Sequence, residues 1–270
     1  MHDPFRMRVR QTPRCLSADA RGVDSVEPVL LAESLAQVES RRVALIGNVS
    51  HELRTPLTAL QGYIEGLLDG LFPSSPETFA AMGQDISRLR RLIDDLQELS
   101  RVEAGQLTLT MKDFDLGEVV RRVTIQLEPQ ARGKMQSLTL APLPAFTVVH
   151  GDPDRTAQVL INLVGNAIRY TQEVGNITVS LTSLPQLTRV DIVDDGIGIP
   201  AAALPFLFER FFRVDSSRSR ASGGSGIGLT IARRLAWAMG GELTATSPGP
   251  GAGSTFSFIL PRARGASAKE

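Results

Sequence analysis

The sequence has one cysteine, Cys15, one tryptophan and two tyrosines among 270 residues. A single thiol excludes an intrachain disulfide framework and suits a reducing compartment. Lysine plus arginine number 29 and aspartate plus glutamate number 29, so there is no excess charge to suggest nucleic acid or an anionic membrane as partner. No run approaches the roughly 18 to 20 apolar residues that span a bilayer, and the basic start MHDPFRMRVRQTPR lacks the apolar core of a signal peptide. A soluble cytoplasmic chain without a membrane span is expected, its specificity residing in a site. The triplet GK[ST] is also missing, which argues against a P-loop nucleotide fold.

Two domains are expected at this length. Residues 1–27 mix Arg, Pro, Ser, Asp and Gly without periodicity and read as a flexible arm. A helix is expected from about Val29 to Leu71 and a second from about Pro76 to Val102, with Gly70, Pro73 and Pro76 forming the turn. Ile46, Val49, Leu53, Leu57, Leu60, Ile64, Leu67 and Leu71 recur at steps of three and four, as do Phe79, Met82, Ile86, Leu89, Ile93, Leu96 and Leu99. Such a pair forms an antiparallel hairpin whose seams need a further cover. A second copy, giving a homodimeric four-helix bundle, is the expected cover, and another domain of the same chain is the alternative. Residues 28–103 form this hairpin and residues 104–113 a hinge linker.

Beyond it, short β-prone runs alternate with helices. Strands are expected at Leu107–Met111, Ser137–Leu140, Phe146–Val149, Asn176–Leu181, Thr188–Val193, Glu242–Thr246 and Ser254–Leu260, and helices at Leu116–Arg132, Pro153–Tyr170 and Gly226–Met239. This order predicts an α+β sandwich over residues 114–262, followed by a flexible tail, 263–270.

The segment NVSHELRTPL, residues 48–57, sets His51 roughly 160° from the mean direction of the seam, facing outward. An outward histidine is ordinarily one more solvated polar residue. Pro56, however, removes the helical hydrogen bond to the carbonyl of Glu52, at a cost of about 3 kcal/mol or more. That cost suits a helix presenting a neutral imidazole as a nucleophile, with a carboxylate beside it to fix a tautomer or take up a proton. SHELRTPL resembles the phosphoacceptor box of the sensor histidine kinases of two-component systems. The resemblance implies that His51 is phosphorylated, that Glu52 assists, and that Thr55 helps dephosphorylate the partner regulator.

The rest of that family's pattern follows in order. INLVGNAIRYT places Asn162, Asn166 and Arg169 on one helical face, where carboxamide oxygens make tolerable Mg²⁺ ligands beside phosphates; buried or capping asparagines are the structural alternative. VDDGIGIP ends a strand in Asp194 and Asp195, then Gly196 and Gly198 free the backbone for close approach to a ligand. Gly224, Gly226 and Gly228 open a helix whose N–H groups suit phosphate. Residues 215–223 would be a lid, with Arg213 reaching the γ-phosphate and Thr255 near the phosphates. The resemblance covers roughly residues 41–262 and implies a GHKL-type (Bergerat) ATP-binding domain. It assigns the adenine amino group to Asp194, Mg²⁺ to Asn166, and places Tyr170, Ile199, Phe208, Ile227 and Leu229 in the ATP site. The implied activity is transfer of the γ-phosphoryl of ATP to His51 and on to an aspartate of a response regulator receiver domain, with regulator phosphatase activity. A GHKL ATPase using ATP as a conformational clamp, and a scaffold with a decayed ATP site, are the competing readings. With no sensor region recognisable, the chain is a cytoplasmic member, a fragment, or the partner of a separate sensor chain.

Overall fold

A computed structural model describes residues 26–214 and 225–263, with side chains described at Val43 and from Ile46 onward. The expected N-terminal arm up to residue 25, the expected lid at 215–223, Gly224 and the tail from 264 lie outside the described residues. Two compact units divide at Val49 and Ser50. The first contributes the N-terminal part of a helix, α1 (Val26–Leu68); the second carries the remainder of α1 and everything after it. Among the described residues no helix is long and apolar enough to cross a membrane.

Within the second unit α1 and α2 (Pro76–Glu103) form the hairpin. The first helix stops at Leu68 rather than Leu71 because Gly70 adopts φ +70 and the N–H groups of Leu71 and Phe72 both return to the Gly66 carbonyl. Pro56 lies inside α1, which continues through it. Ser75 caps α2, its hydroxyl accepting from the Thr78 amide, with Pro76 at the first helical position.

The sandwich follows: β1 (Lys112–Asp115), α3 (Leu116–Arg132), β2 (Ser137–Leu140), β3 (Val148–Gly151), α4 (Pro153–Tyr170), β4 (Asn176–Ser183), β5 (Leu187–Asp194), a 3-10 turn (Ala201–Phe206), α5 (Gly228–Ala238), β6 (Glu242–Thr246) and β7 (Ser254–Pro261). Five strands form one mixed sheet in the order β2-β4-β5-β7-β6, in which only β2 and β4 are parallel. Period-two burial directs Ile177 and Val179, Val190 and Ile192, and Phe256, Phe258 and Leu260 inward. They meet Val159, Leu160, Leu163 and Ala167 of α4 and Ile231 and Leu235 of α5 in a single core.

Three expected elements are shifted, each for a local reason. Leu107–Met111 is not a strand: the Thr110 amide donates to the Asp152 carboxylate at 2.8 Å, and pairing with β3 begins only at Lys112. The last residues of the expected hinge, 110–113, are thereby fastened to the sandwich. The strand expected at Phe146–Val149 lies at β3, because the Thr147 carbonyl accepts from Leu116 and its hydroxyl bonds Asp115, turning the chain there. Helix α5 starts at Gly228 rather than Gly226, which has φ +70.

Asp152 is 5% exposed and accepts from three backbone amides, those of Asp154 at 2.9 Å, Arg155 at 3.1 Å and Thr110 at 2.8 Å. Burial pushes its carboxyl upward, but these donors and the Arg155 charge outweigh burial and hold it below the ordinary carboxylate range. Asp152→Ala should lower stability by about 2–4 kcal/mol, combining a lost helix cap with a stranded linker amide. Because the folded pKa is depressed, the stabilisation is complete above the unfolded carboxylate value of about 4 and fades as pH falls through the folded value. The difference in Tm between wild type and variant should therefore be large at pH 7 and shrink on acidification; a pH-independent difference would contradict this assignment.

Candidate active site

Two adjoining cavities lie in the second unit. The more polar, of about 350 Å³, is lined by Asn162, Asn166, Arg169, Gly226, Gly228 and the α2 side chain Asp95 among others. The more apolar, of about 500 Å³, is lined by Tyr170, Asp194, Gly198, Ile199, Pro200 and Phe256 among others. Asn166, Arg169, Tyr170, Phe212, Arg213 and Leu229 line both.

The polar compartment is built by α4 and the start of α5. Asn162 donates to the Gly228 carbonyl at 3.2 Å, and a Cβ at Gly228 would stand 3.3 Å from the Asn162 side-chain oxygen, so the two helices meet closely there. Burial presses the Arg169 guanidinium below its ordinary pKa, with Arg91 and Arg213 adding repulsion and Tyr170 opposing both. An anion placed beside Arg169 relieves that repulsion. Beside its carboxamides and arginines this compartment has two carboxylates, Glu52 near Arg88 and Arg213 and Asp95 bonded to Ser225, and no group of three His, Cys, Asp or Glu that could hold a metal ion occurs among the described residues. Such a set does not hold a bare dication, but it fits one that arrives on a polyphosphate.

The apolar compartment carries one principal acid. Asp194, 6% exposed at the end of β5, accepts from the Gly196 amide at 2.9 Å and from the Ser254 hydroxyl at 2.6 Å, which fixes its carboxylate plane. Its neighbour Asp195 instead accepts from the backbone and side-chain nitrogens of Asn176, both at 2.8 Å, and is exposed. Of the two glycines that follow, Gly198 lines this compartment and Gly196 does not. A Cβ at Gly196 would come within 2.5 Å of the Tyr170 carbonyl and one at Gly198 within 2.0 Å of the Gly249 carbonyl, so what these glycines admit is neighbouring backbone.

Several expected site residues stand elsewhere. Thr255 lines neither cavity: alternation along β7 places Ser254 and Phe256 inward and Thr255 on the other face. Phe208, Gly196 and the fully buried Ile227 also line neither. His51 is exposed on α1 and lines neither, and Thr55 donates back to the His51 carbonyl at 3.3 Å. Glu52 does line the polar compartment, with its carboxylate 3.5 Å from Arg88 and 3.7 Å from Arg213.

Sequence reading missed the residues that α2 contributes. Asp95 accepts from the Ser225 hydroxyl at 2.7 Å, and burial raises its pKa before that bond and Arg91 pull it back. Glu98 pairs with Arg155 at 2.6 Å and Glu103 with Arg210 at 2.5 Å. Asp95, Glu98 and Glu103 lie at spacings of three and five along α2, and their partners Ser225, Arg155 and Arg210 are all remote in sequence.

Two family models match the chain: "His Kinase A (phospho-acceptor) domain" over residues 41–105 and "Histidine kinase-, DNA gyrase B-, and HSP90-like ATPase" over residues 151–264. Signal transduction histidine-protein kinase BaeS of Escherichia coli strain K12 is 34% identical over 233 residues, 86% of this chain and 50% of that protein. The chain thus spans half the length of that curated relative. Among solved structures, Acinetobacter baumannii histidine kinase AdeS shares 31% identity with a TM-score of 0.66, covering 79% of this chain and 98% of that one. Histidine kinase ThkA, solved in complex with response regulator protein TrrA, shares 25% identity with a TM-score of 0.68, covering 90% and 68%. With a phosphoacceptor-type helix and an ATPase-type sandwich in one chain, matched together across 98% of AdeS, the chain belongs to the histidine kinases.

Proposed function

We propose that this chain binds ATP across the two cavities, transfers the γ-phosphoryl group to His51, and passes it to an aspartate of a response regulator receiver domain. The observation that carries this is the division of the site. An apolar compartment with one fixed carboxylate, Asp194, suits a planar base bearing an amino group. The adjoining compartment, lined by Asn162, Asn166 and Arg169 and ending at the start of α5, suits a polyphosphate.

In the transfer a ring nitrogen of His51 forms the N–P bond as the bond from phosphorus to the β,γ-bridging oxygen breaks, and ADP leaves with that electron pair. The Glu52 carboxylate takes up the imidazole proton. Asn166 would hold Mg²⁺, which when bound supplies neutralisation of the phosphate charge. Arg169 and Arg213 stabilise the charge on the transferring oxygens, so positioning and electrostatics account for most of the acceleration. His51 lies outside the cavity while Glu52 faces it, so transfer requires the sandwich to reorient about the linker. Thr110 is tied to Asp152, which confines that hinge to residues 104–109.

The same reading makes the chain a homodimer. Leu57 and Ile64 on α1, Leu71 in the turn that follows it, and Phe79, Ile86 and Ile93 on α2 recur at steps of seven and are 46–76% exposed. Leu92 and Leu99, in contrast, are buried on the side of α2 that packs on α5. On this reading a second copy covers the exposed face of the hairpin, while the chain's own sandwich covers Leu92 and Leu99. Ile86→Glu should convert the dimer to monomer in sedimentation equilibrium; a dimer that persists unchanged would remove this face from the interface.

Incubation with γ-labelled ATP tests the central reading. An acid-labile, alkali-stable label on the protein, which moves to an added receiver domain, is expected. Release of inorganic phosphate without labelled protein would favour the ATP-clamp alternative.

A further inference from the structure

Phe208 was expected at the nucleotide, yet its ring lies under the guanidinium of Arg233, 4.7 Å from its carbon to the ring centroid. A second aromatic neighbour of that guanidinium is Trp237, at 4.5 Å. Arg233 projects from α5 four residues before Trp237, so the helix itself brings the cation over the indole, and the cation bridges two aromatic faces. Thr230, one turn earlier, donates to the Phe208 carbonyl at 3.0 Å. A second fastening follows at Phe211, which has φ 60 and donates its amide to the Gly226 carbonyl at 3.0 Å. Phe212 and Arg213, the next two residues, line both cavities.

We infer that Arg233 is a positioning residue for nucleotide binding. By clamping Phe208 against α5 it fixes the segment 208–213, and through that segment it sets where Phe212 and Arg213 stand beside base and phosphates. Arg233 lines neither cavity and touches no reacting atom, so its effect passes entirely through these two side chains. The inference rests on the cavities being the ATP site.

Arg233→Ala in the full chain should raise the KM for ATP about five- to tenfold, the scale expected from losing two stacking contacts to the guanidinium, and lower kcat by a smaller factor, because the displaced Arg213 also faces the transferring phosphoryl group. Arg233→Lys, which keeps the cation but not the planar fork, should recover part of the loss. Trp237 is the chain's sole tryptophan and is 46% exposed, so its emission reports the state of the clamp. ATP should shift that emission in wild type and not in Phe208→Leu, which carries the same KM expectation if Arg233→Ala fails to fold. A melting temperature that falls with KM unchanged, or a fall in kcat with KM unchanged, would overturn the inference. Wild-type protein that neither binds nor uses ATP would instead overturn the functional reading beneath it.

Discussion

His51→Gln should abolish incorporation of the γ-phosphoryl group into the protein, by about 10³-fold or more, while ATP still binds. The two halves of this expectation have separate physical causes. Glutamine has no ring nitrogen able to form an N–P bond. The residue is exposed and lines neither cavity, so its replacement should alter stability by no more than about 0.5 kcal/mol and leave equilibrium nucleotide binding within about twofold. Glu52, one residue on, should behave differently because its carboxylate lies by Arg88 and Arg213 at the edge of the polar compartment. Label that survives His51→Gln would place the phosphoacceptor elsewhere and remove the reason for the SHELRTPL segment.

Where local chemistry decides an element, the sequence already contains it. Leu116–Arg132 and Pro153–Tyr170 are found with the expected limits, because Asp115 and Asp152 cap helices whose first residues are read off directly, with Pro153 at the first helical position. Ser137–Leu140 and Glu242–Thr246 are likewise found as expected. The phase of β7 was also legible: Phe256, Phe258 and Leu260 alternate, and the same period reaches Ser254, not Thr255. Phe208 was assigned to the ATP site by resemblance alone, and its partner Arg233, 25 residues later, is a contact that no local pattern encodes. The contacts of α2 were beyond reach for the same reason in stronger form. Asp95 meets Ser225 across 130 residues and Glu98 meets Arg155 across 57, and no period or cap encodes such separations. What packing adds to the sequence is therefore concentrated where helix α2 meets the sandwich.

Asp194→Asn should weaken ATP binding by roughly 10- to 150-fold, corresponding to about 1.5–3 kcal/mol for a hydrogen bond to a buried charged group. The carboxylate is isosteric with the carboxamide, so the substitution tests chemistry at nearly constant shape. One side-chain oxygen accepts from the Gly196 amide, which cannot reverse its role; the carboxamide must therefore turn its oxygen to Gly196 and its NH₂ toward Ser254. The Ser254 hydroxyl can rotate to accept, so the local fold survives. The cost falls on the ligand: an exocyclic amino group arriving at that edge now meets a donor instead of an acceptor. Inosine triphosphate, which carries a carbonyl oxygen in place of the amino group, separates this cause from a general loss of the pocket. Wild type should prefer ATP strongly over inosine triphosphate, whereas Asp194→Asn should lose most of that preference, since its NH₂ can donate to the carbonyl. Ser254→Ala removes only one of the two bonds that orient the carboxylate and should cost several-fold, about 1 kcal/mol, with the preference kept. Equal ATP affinity in wild type and Asp194→Asn, measured by titration calorimetry, would show that the base is read by some other group in the apolar compartment.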